Sequence, residues 1–127
     1  EIYEALDFYL KTRLQDRVIY CNDTESDYVK IKLKDILLVE TYGRKLRYLM
    51  LDGSDHVCEG RISETAQDLS PFGFFHVQRS YIVNLKYIEK VNGHVITLCS
   101  GLQIAVGRAH SKEFRKEFFK WRMCFGD

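Results

Sequence analysis

Basic and hydroxyl side chains cluster at three points where apolar, strand-like segments of the sequence end. The guanidinium group of arginine is a planar fork that can donate two parallel hydrogen bonds, to a phosphate or to the paired acceptors of guanine in the major groove of DNA. A serine hydroxyl can donate to a phosphate as well. These residue types therefore favour contact with double-stranded DNA, although a loop arginine is more commonly a solvated surface charge. The residues are Arg44 and Lys45, then Arg79 and Ser80, then Arg108 and Lys112.

Two further residues are predicted to shape the backbone around these clusters. Gly107 directly precedes Arg108, and a glycine there lets the chain turn sharply or approach a neighbour closely. Asn84 interrupts an apolar run, and an asparagine side chain can satisfy backbone groups at a turn. We predict that Asn84 marks a bend between two strands and has a structural role.

The sequence gives little support for catalysis or for metal binding. No GxSxG, HExxH, Walker or GxGxxG motif occurs, and the carboxylates fall in turns and on helix faces, where solvation explains them. His56 and Cys58 share a strand face, but two ligands do not make a zinc site. We therefore predict a non-enzymatic protein without a metal or another cofactor.

Length, charge and cysteine content narrow the class further. A chain of 127 residues is predicted to form one main domain, and it has no apolar run long enough to enter a membrane. Its four cysteines form no CxxC pair, which predicts reduced thiols in a cytoplasmic protein.

The net charge is only +1, from 19 basic and 18 acidic residues, so binding to a polyanion would require the charge to be segregated onto one surface. The near-neutral balance keeps open a protein–protein interaction module without DNA binding. RNA binding by aromatic stacking is less favoured, because most of the aromatic residues recur at the spacing of buried positions in strands and helices.

The elements that must position the clusters are mostly strands, which predicts a mainly β (α+β) fold. One short helix is predicted over 63–70, capped by Ser63, and an amphipathic C-terminal helix over 112–123, capped by Ser111. A further helix is predicted over 2–13. Strand-like segments are predicted over 18–20, 28–33, 36–40, 46–51, 56–59, 74–77, 82–91 with a break at 84–86, 94–98 and 102–106.

Two long segments together resemble a known family. The segment FFHVQRSYIVNLKYIEKV (74–91), followed by NG, a strand, SG and LQIAVGRAHSKEF, resembles the LytTR DNA-binding domain of bacterial response regulators. The segment YVKIKLKDILLVETYGRKLRYLMLDG (28–53) is similar to the first half of that family. The resemblance extends over roughly residues 17–122.

The resemblance implies an elongated fold of small β-sheets with one short inserted helix and a C-terminal amphipathic helix. Loops on one side of this fold would enter successive major grooves of a direct-repeat promoter site. The family pattern places the DNA contacts at the residues around 44–46, at Arg79 and at Arg108.

The resemblance also implies a domain organisation and a set of partners. Residues 1–16 would be a linker helix from an upstream receiver-like domain, and residues 17–127 the DNA-binding domain. The chain would then be the effector half of a two-component transcriptional regulator in the bacterial cytoplasm, controlled by a sensor kinase. The isolated domain would be a monomer, with two copies bound on DNA.

Overall fold

Antiparallel strands dominate the part of the chain that the structure, a computed structural model, describes: residues 15–22 and 27–125, with side chains described as far as residue 123. Within these residues, ten strands form three small sheets, accompanied by two α-helices. The mainly β (α+β) prediction is therefore confirmed. The helix predicted over 2–13 lies outside the described residues. None of the described helices is long and apolar enough to cross a bilayer.

The first sheet is a two-stranded ribbon of β1 (Val18–Asn22) and β2 (Tyr28–Lys32). Its residues alternate, because one face packs on the domain and the other faces water. Ile31 is buried between the exposed Lys30 and Lys32.

The second sheet has five strands and carries two of the predicted clusters at its turns. Its central strand, β3, is buried along residues 36–39 because apolar cores lie against both of its faces, as the uninterrupted apolar run predicts. The order across the sheet is β5-β4-β3-β7-β6. The strands are β3 (Ile36–Tyr42), β4 (Lys45–Met50), β5 (Asp55–Cys58), β6 (Phe74–Gln78) and β7 (Tyr81–Asn84).

The third sheet is a meander of β8 (Ile88–Asn92), β9 (Val95–Leu98) and β10 (Gln103–Ala105). Gly93, directly after the last residue of β8, Asn92, lies in the first connection and Ser100-Gly101 lies in the second, as the turn signals predict. This sheet packs with the C-terminal helix against one face of the five-stranded sheet, around Ile96, Leu98 and Phe114.

The helices differ from prediction at their first residues. Helix α1 (Ile62–Leu69) begins one residue earlier than expected, with Arg61 at the cap position and no side-chain cap, so the predicted cap at Ser63 is wrong. Helix α2 (Ser111–Phe125) includes Ser111 itself and follows directly from a 3-10 turn, Arg108–His110.

Cys21 of β1 and Cys58 of β5 form a disulfide, so the prediction of reduced thiols is wrong for this pair. Their Cα atoms are 5.5 Å apart, within the range that a disulfide requires, and both residues are buried. The bond ties the ribbon to an edge strand of the five-stranded sheet. The two cysteines are 37 positions apart, so no local spacing reveals the pairing.

Asn84 lies fully buried at the end of β7, where the chain bends through a 3-10 turn, Leu85–Tyr87, into β8. Its Nδ2 donates to the carbonyl oxygen of Ile36 at 3.0 Å. Its Oδ1 accepts from the backbone N–H of Lys86 at 3.2 Å and from Nε2 of Gln15 at 3.0 Å. One amide side chain thus joins the bend to the first residue of the central strand.

Candidate nucleic-acid interface

The first basic cluster lies in the tight turn between β3 and β4. Tyr42 pairs with Lys45, and Gly43 adopts a φ of 64°, a left-handed conformation that glycine reaches at little cost. Arg44 is exposed and has no ion-pair partner among the described residues. Lys45 differs, since its Nζ lies 3.3 Å from Oε2 of Glu59 on the neighbouring chain segment.

The second cluster lies in the turn between β6 and β7, where Arg79 is exposed and Ser80 is half-buried. The backbone N–H of Thr41 donates to the carbonyl oxygen of Ser80 at 3.0 Å. Because β3 and β7 are neighbours in the sheet, this bond places the second turn beside the end of β3. The first two clusters are therefore at the same end of the five-stranded sheet.

The third cluster reaches that same end from a different sheet. The backbone N–H of Gly107 donates to the carbonyl oxygen of Val77 at 2.8 Å, and Nε2 of Gln78 donates to the carbonyl oxygen of Ala105 at 2.7 Å. The chain leaving β10 thus lies against the end of β6.

Contact between Gly107 and Gln78 limits how far apart the arginines that follow them can be. A Cβ atom on Gly107 would lie 3.6 Å from Cα of Gln78, so a small residue suits this position. Since consecutive Cα atoms are about 3.8 Å apart, the Cα atoms of Arg79 and Arg108 are separated by at most about 13 Å. Arg108, like Arg79, is exposed and has no ion-pair partner in the described part of the chain.

We call the three turns, residues 42–45, 78–81 and 106–110, the turn edge. Neighbouring strands are about 4.8 Å apart, so the first two turns, whose centres are two strands apart, are separated by about 10 Å. Lys112 is exposed in the first turn of α2, four residues beyond Arg108. The structure therefore places all six predicted basic and hydroxyl residues on or next to one edge, with Lys45 already engaged in an ion pair.

Arg47 belongs to the first basic stretch in sequence but is occupied by other contacts. Its Nε lies 2.9 Å from Oδ2 of Asp55 and 3.5 Å from Oε2 of Glu40, and its guanidinium carbon lies 5.7 Å from the ring centre of Tyr42. The two acidic side chains thus engage its guanidinium group, so Arg47 differs from Arg44, which has no ion-pair partner within the described residues.

The residues that join the second and third turns were not predicted from the sequence. Besides Gln78, these are His76 and His110, whose ring centres are 5.3 Å apart. Nε2 of His76 also lies 3.3 Å from the carbonyl oxygen of Arg79. The only local signal was the position of Gln78, directly before Arg79 and at the end of a strand.

Comparisons with known proteins agree with this architecture. The family model of the LytTr DNA-binding domain matches residues 26–119. A solved structure described as the LytTr DNA-binding domain of a methyl-accepting/DNA response regulator from Bacillus cereus is similar, with a TM-score of 0.67 and 17% sequence identity. The match covers 79% of this chain and 94% of that one, and at this identity it concerns the fold. No curated protein matches the chain significantly. Since the family model spans most of the described residues, the chain belongs to the LytTr DNA-binding domain family.

Proposed function

We propose that the domain binds double-stranded DNA by placing the turn edge in the major groove. In this arrangement Arg79 and Arg108 donate to base edges, while Ser80 and Lys112 donate to phosphates. Arg44, rather than Lys45, is the main contact of the first turn. The observation that carries the proposal is the presence of three exposed arginines, without acidic partners among the described residues, at one edge of the fold.

The dimensions of the edge suit a DNA groove. The major groove of B-DNA is about 12 Å wide, and Arg79 and Arg108 lie at most about 13 Å apart at their Cα atoms. Arg79 leaves from a short turn between paired strands, and Arg108 leaves from a 3-10 turn whose preceding residue, Gly107, is hydrogen-bonded to the end of β6. Recognition groups on loops held by a rigid scaffold are a common arrangement in proteins.

Charge is distributed as DNA binding requires, despite the net charge of +1. The three turns contain no Asp or Glu residue. Acidic side chains near the first turn are instead engaged by neighbouring cations, as Glu59 is by Lys45 and Asp55 is by Arg47. The turn edge is therefore a local positive surface on an almost neutral domain.

We further infer that the domain acts by binding, without catalysis, as the effector part of a bacterial two-component transcriptional regulator in the cytoplasm. Residues 17–127 form the DNA-binding domain, and residues 1–16 connect it to a receiver domain controlled by a sensor kinase. Membership of the LytTr family and the similar Bacillus cereus domain, whose title names a response regulator, support this assignment. Two copies would then occupy a direct-repeat promoter, each as a monomer that receiver pairing brings together.

The test is DNA affinity measured with single arginine variants. A footprint on genomic DNA first identifies a bound fragment, and fluorescence anisotropy then compares the wild type with Arg79→Ala and Arg108→Ala. Loss of a base-reading arginine costs about 1–3 kcal/mol, or roughly 5- to 150-fold in affinity, and relaxes preference at one base position. Arg122→Ala is the matched control, since Arg122 is exposed far along α2.

The salt dependence of DNA affinity distinguishes a DNA-binding domain from a protein–protein interaction module. A domain that neutralises phosphates loses affinity steeply as salt rises, and each removed phosphate contact lowers the slope by about one. A wild-type domain that leaves every genomic fragment unprotected, yet binds a protein partner tightly, would refute DNA binding and establish the interaction-module alternative.

A further inference from the structure

The two base-reading arginines of the proposed interface come from different sheets. Arg79 follows β6, which is an edge strand of the five-stranded sheet, and Arg108 follows β10, which is an edge strand of the three-stranded sheet. No strand ladder joins these two sheets among the described residues. The distance between the arginines therefore depends on how the ends of β6 and β10 are held together.

Three contacts hold those ends, and we call them the seam. The N–H of Gly107 donates to Val77 at 2.8 Å, and the side-chain amide of Gln78 donates to Ala105 at 2.7 Å. The rings of His76 and His110 lie against each other in a tilted arrangement, with their centres 5.3 Å apart and their planes at 39°. Of the two hydrogen bonds, only the one from Gln78 is made by a side chain and can be removed by substitution.

The apolar core beneath the seam cannot replace this bond. Val77 and Ile104 belong to the same buried cluster, which brings the two sheets into contact. Burial of apolar surface is non-directional, however, so it specifies the position of the two turns less sharply than a directional bond does. A hydrogen bond of 2.7 Å restricts distance and angle, and it lies directly beside the two arginines.

We propose that Gln78 is a positioning residue that fixes Arg108 relative to Arg79, so that one duplex meets both side chains. The inference rests on the proposed DNA-binding function and deepens it. Removing the bond allows the β10 end to leave its aligned position, and the apparent affinity falls with the aligned fraction. One net hydrogen bond changes the ratio of misaligned to aligned states about 3- to 10-fold, and this factor is the upper limit of the fall in affinity.

The test measures the effect of Gln78→Met with and without Arg108. Methionine keeps the length of the side chain but cannot donate a hydrogen bond. In the wild-type background we expect a loss of affinity of more than about twofold and at most about 10-fold. In the Arg108→Ala background the same change should cost less than about twofold, because coupled residues are not additive.

A direct base contact or a general loss of folding would behave differently. Either would lower affinity by the same factor in both backgrounds, and that result would overturn the proposal, as would no loss in the wild type. Gln103→Met is the matched control, since Gln103 is exposed on β10. Gln78→Ala provides a second variant if methionine disturbs packing, and thermal melting checks the fold of each.

A second measurement needs no DNA and so separates this inference from the proposed function. The amide proton of Gly107 is bonded across the seam, so its hydrogen exchange reports opening of the seam. Gln78→Met should accelerate this exchange by about 3- to 10-fold, with little change for amides within β3. Unchanged exchange would refute the positioning role even if the domain binds DNA, whereas accelerated exchange without any DNA binding would refute only the proposed function.

Discussion

Replacing Asn84 with alanine should destabilise the domain more than any substitution on its surface. The side chain is fully buried and makes three hydrogen bonds, to Ile36, Lys86 and Gln15. Alanine removes the amide but leaves these partners in place. The carbonyl of Ile36 and the N–H of Lys86 would each lose the partner that Asn84 supplies, while Gln15 would keep its bond to the carbonyl oxygen of Phe72 at 2.6 Å.

The magnitude follows from that difference. A buried polar group left without a partner costs about 1–3 kcal/mol, so two such groups and a small cavity together cost about 3–5 kcal/mol. That is a large share of the roughly 5–15 kcal/mol that stabilises a typical domain. At about 1.5 kcal/mol per molar urea, it moves the unfolding midpoint down by roughly 2–3 M.

Urea unfolding followed by tryptophan fluorescence measures this change, because the single tryptophan, Trp121, is buried. Asn92→Ala is the control: Asn92 is exposed at the end of β8, and its loss should change stability by less than about 0.5 kcal/mol. Asn84→Asp adds a pH test. The buried carboxyl would have a folded pKa above its unfolded value of about 3.9, so its destabilisation should grow as pH rises above about 4.

A loss of less than about 1 kcal/mol for Asn84→Ala, or a loss equal to that of the Asn92 control, would refute the structural role. An Asn84→Asp variant whose stability does not fall between pH 4 and pH 7 would show that the site is open to water, contrary to its full burial.

Three further outcomes are expected. Breaking the Cys21–Cys58 bond, which closes a loop of 37 positions, should lower stability by up to about 4 kcal/mol; dithiothreitol should lower the melting temperature of the wild type but not of the double serine variant, and an equal response of both would contradict this. Burial raises the pKa of Tyr48, so its contribution to the free energy of unfolding is complete below about pH 10 and is lost as pH rises further. Urea unfolding at pH 8 and at pH 10.5 should therefore show a smaller fall in the free energy of unfolding for Tyr48→Phe than for the wild type. Arg44→Ala should weaken DNA binding more than Lys45→Ala, because Lys45 is already ion-paired, and the reverse order in an anisotropy titration would identify Lys45 as the main contact.

Local sequence patterns predicted much of the fold. The uninterrupted apolar run at 36–39 correctly indicated a strand buried on both faces, because burial on two sides removes the need for alternation. The pairs Asn92-Gly93 and Ser100-Gly101 correctly located the turns of the meander, because tight hairpins need residues that tolerate left-handed backbone conformations. Both signals depend only on neighbouring residues.

Contacts between distant parts of the chain escaped such patterns. The pairing of Leu38 with Val83 sets the order of the five-stranded sheet, and no local feature of either strand specifies its partner. The same holds for the disulfide between Cys21 and Cys58. Charge counting likewise could not separate Arg44, which is exposed, from Arg47, which is paired with Asp55.

The candidate site was predicted at the level of residue types and turn positions. Its arrangement on one edge depends on two sheets meeting, which periodicity does not report. The DNA contacts of these residues and the linker role of residues 1–16 stay predictions.

Arg108 follows a sheet that is built from one continuous stretch of the chain, so this stretch can be replaced as a unit. Strands β8, β9 and β10 are consecutive in the chain and pair only with one another among the described residues, so the stretch 88–110 is a continuous insert in sequence as well as a unit in space. A chimera that takes this stretch from a relative would replace one arginine-bearing turn and leave the turns of Arg44 and Arg79 unchanged. Under the proposed function, such a chimera would change base preference at one end of the DNA site and leave it unchanged at the other, as long as residue 78 can still bond to the exchanged stretch.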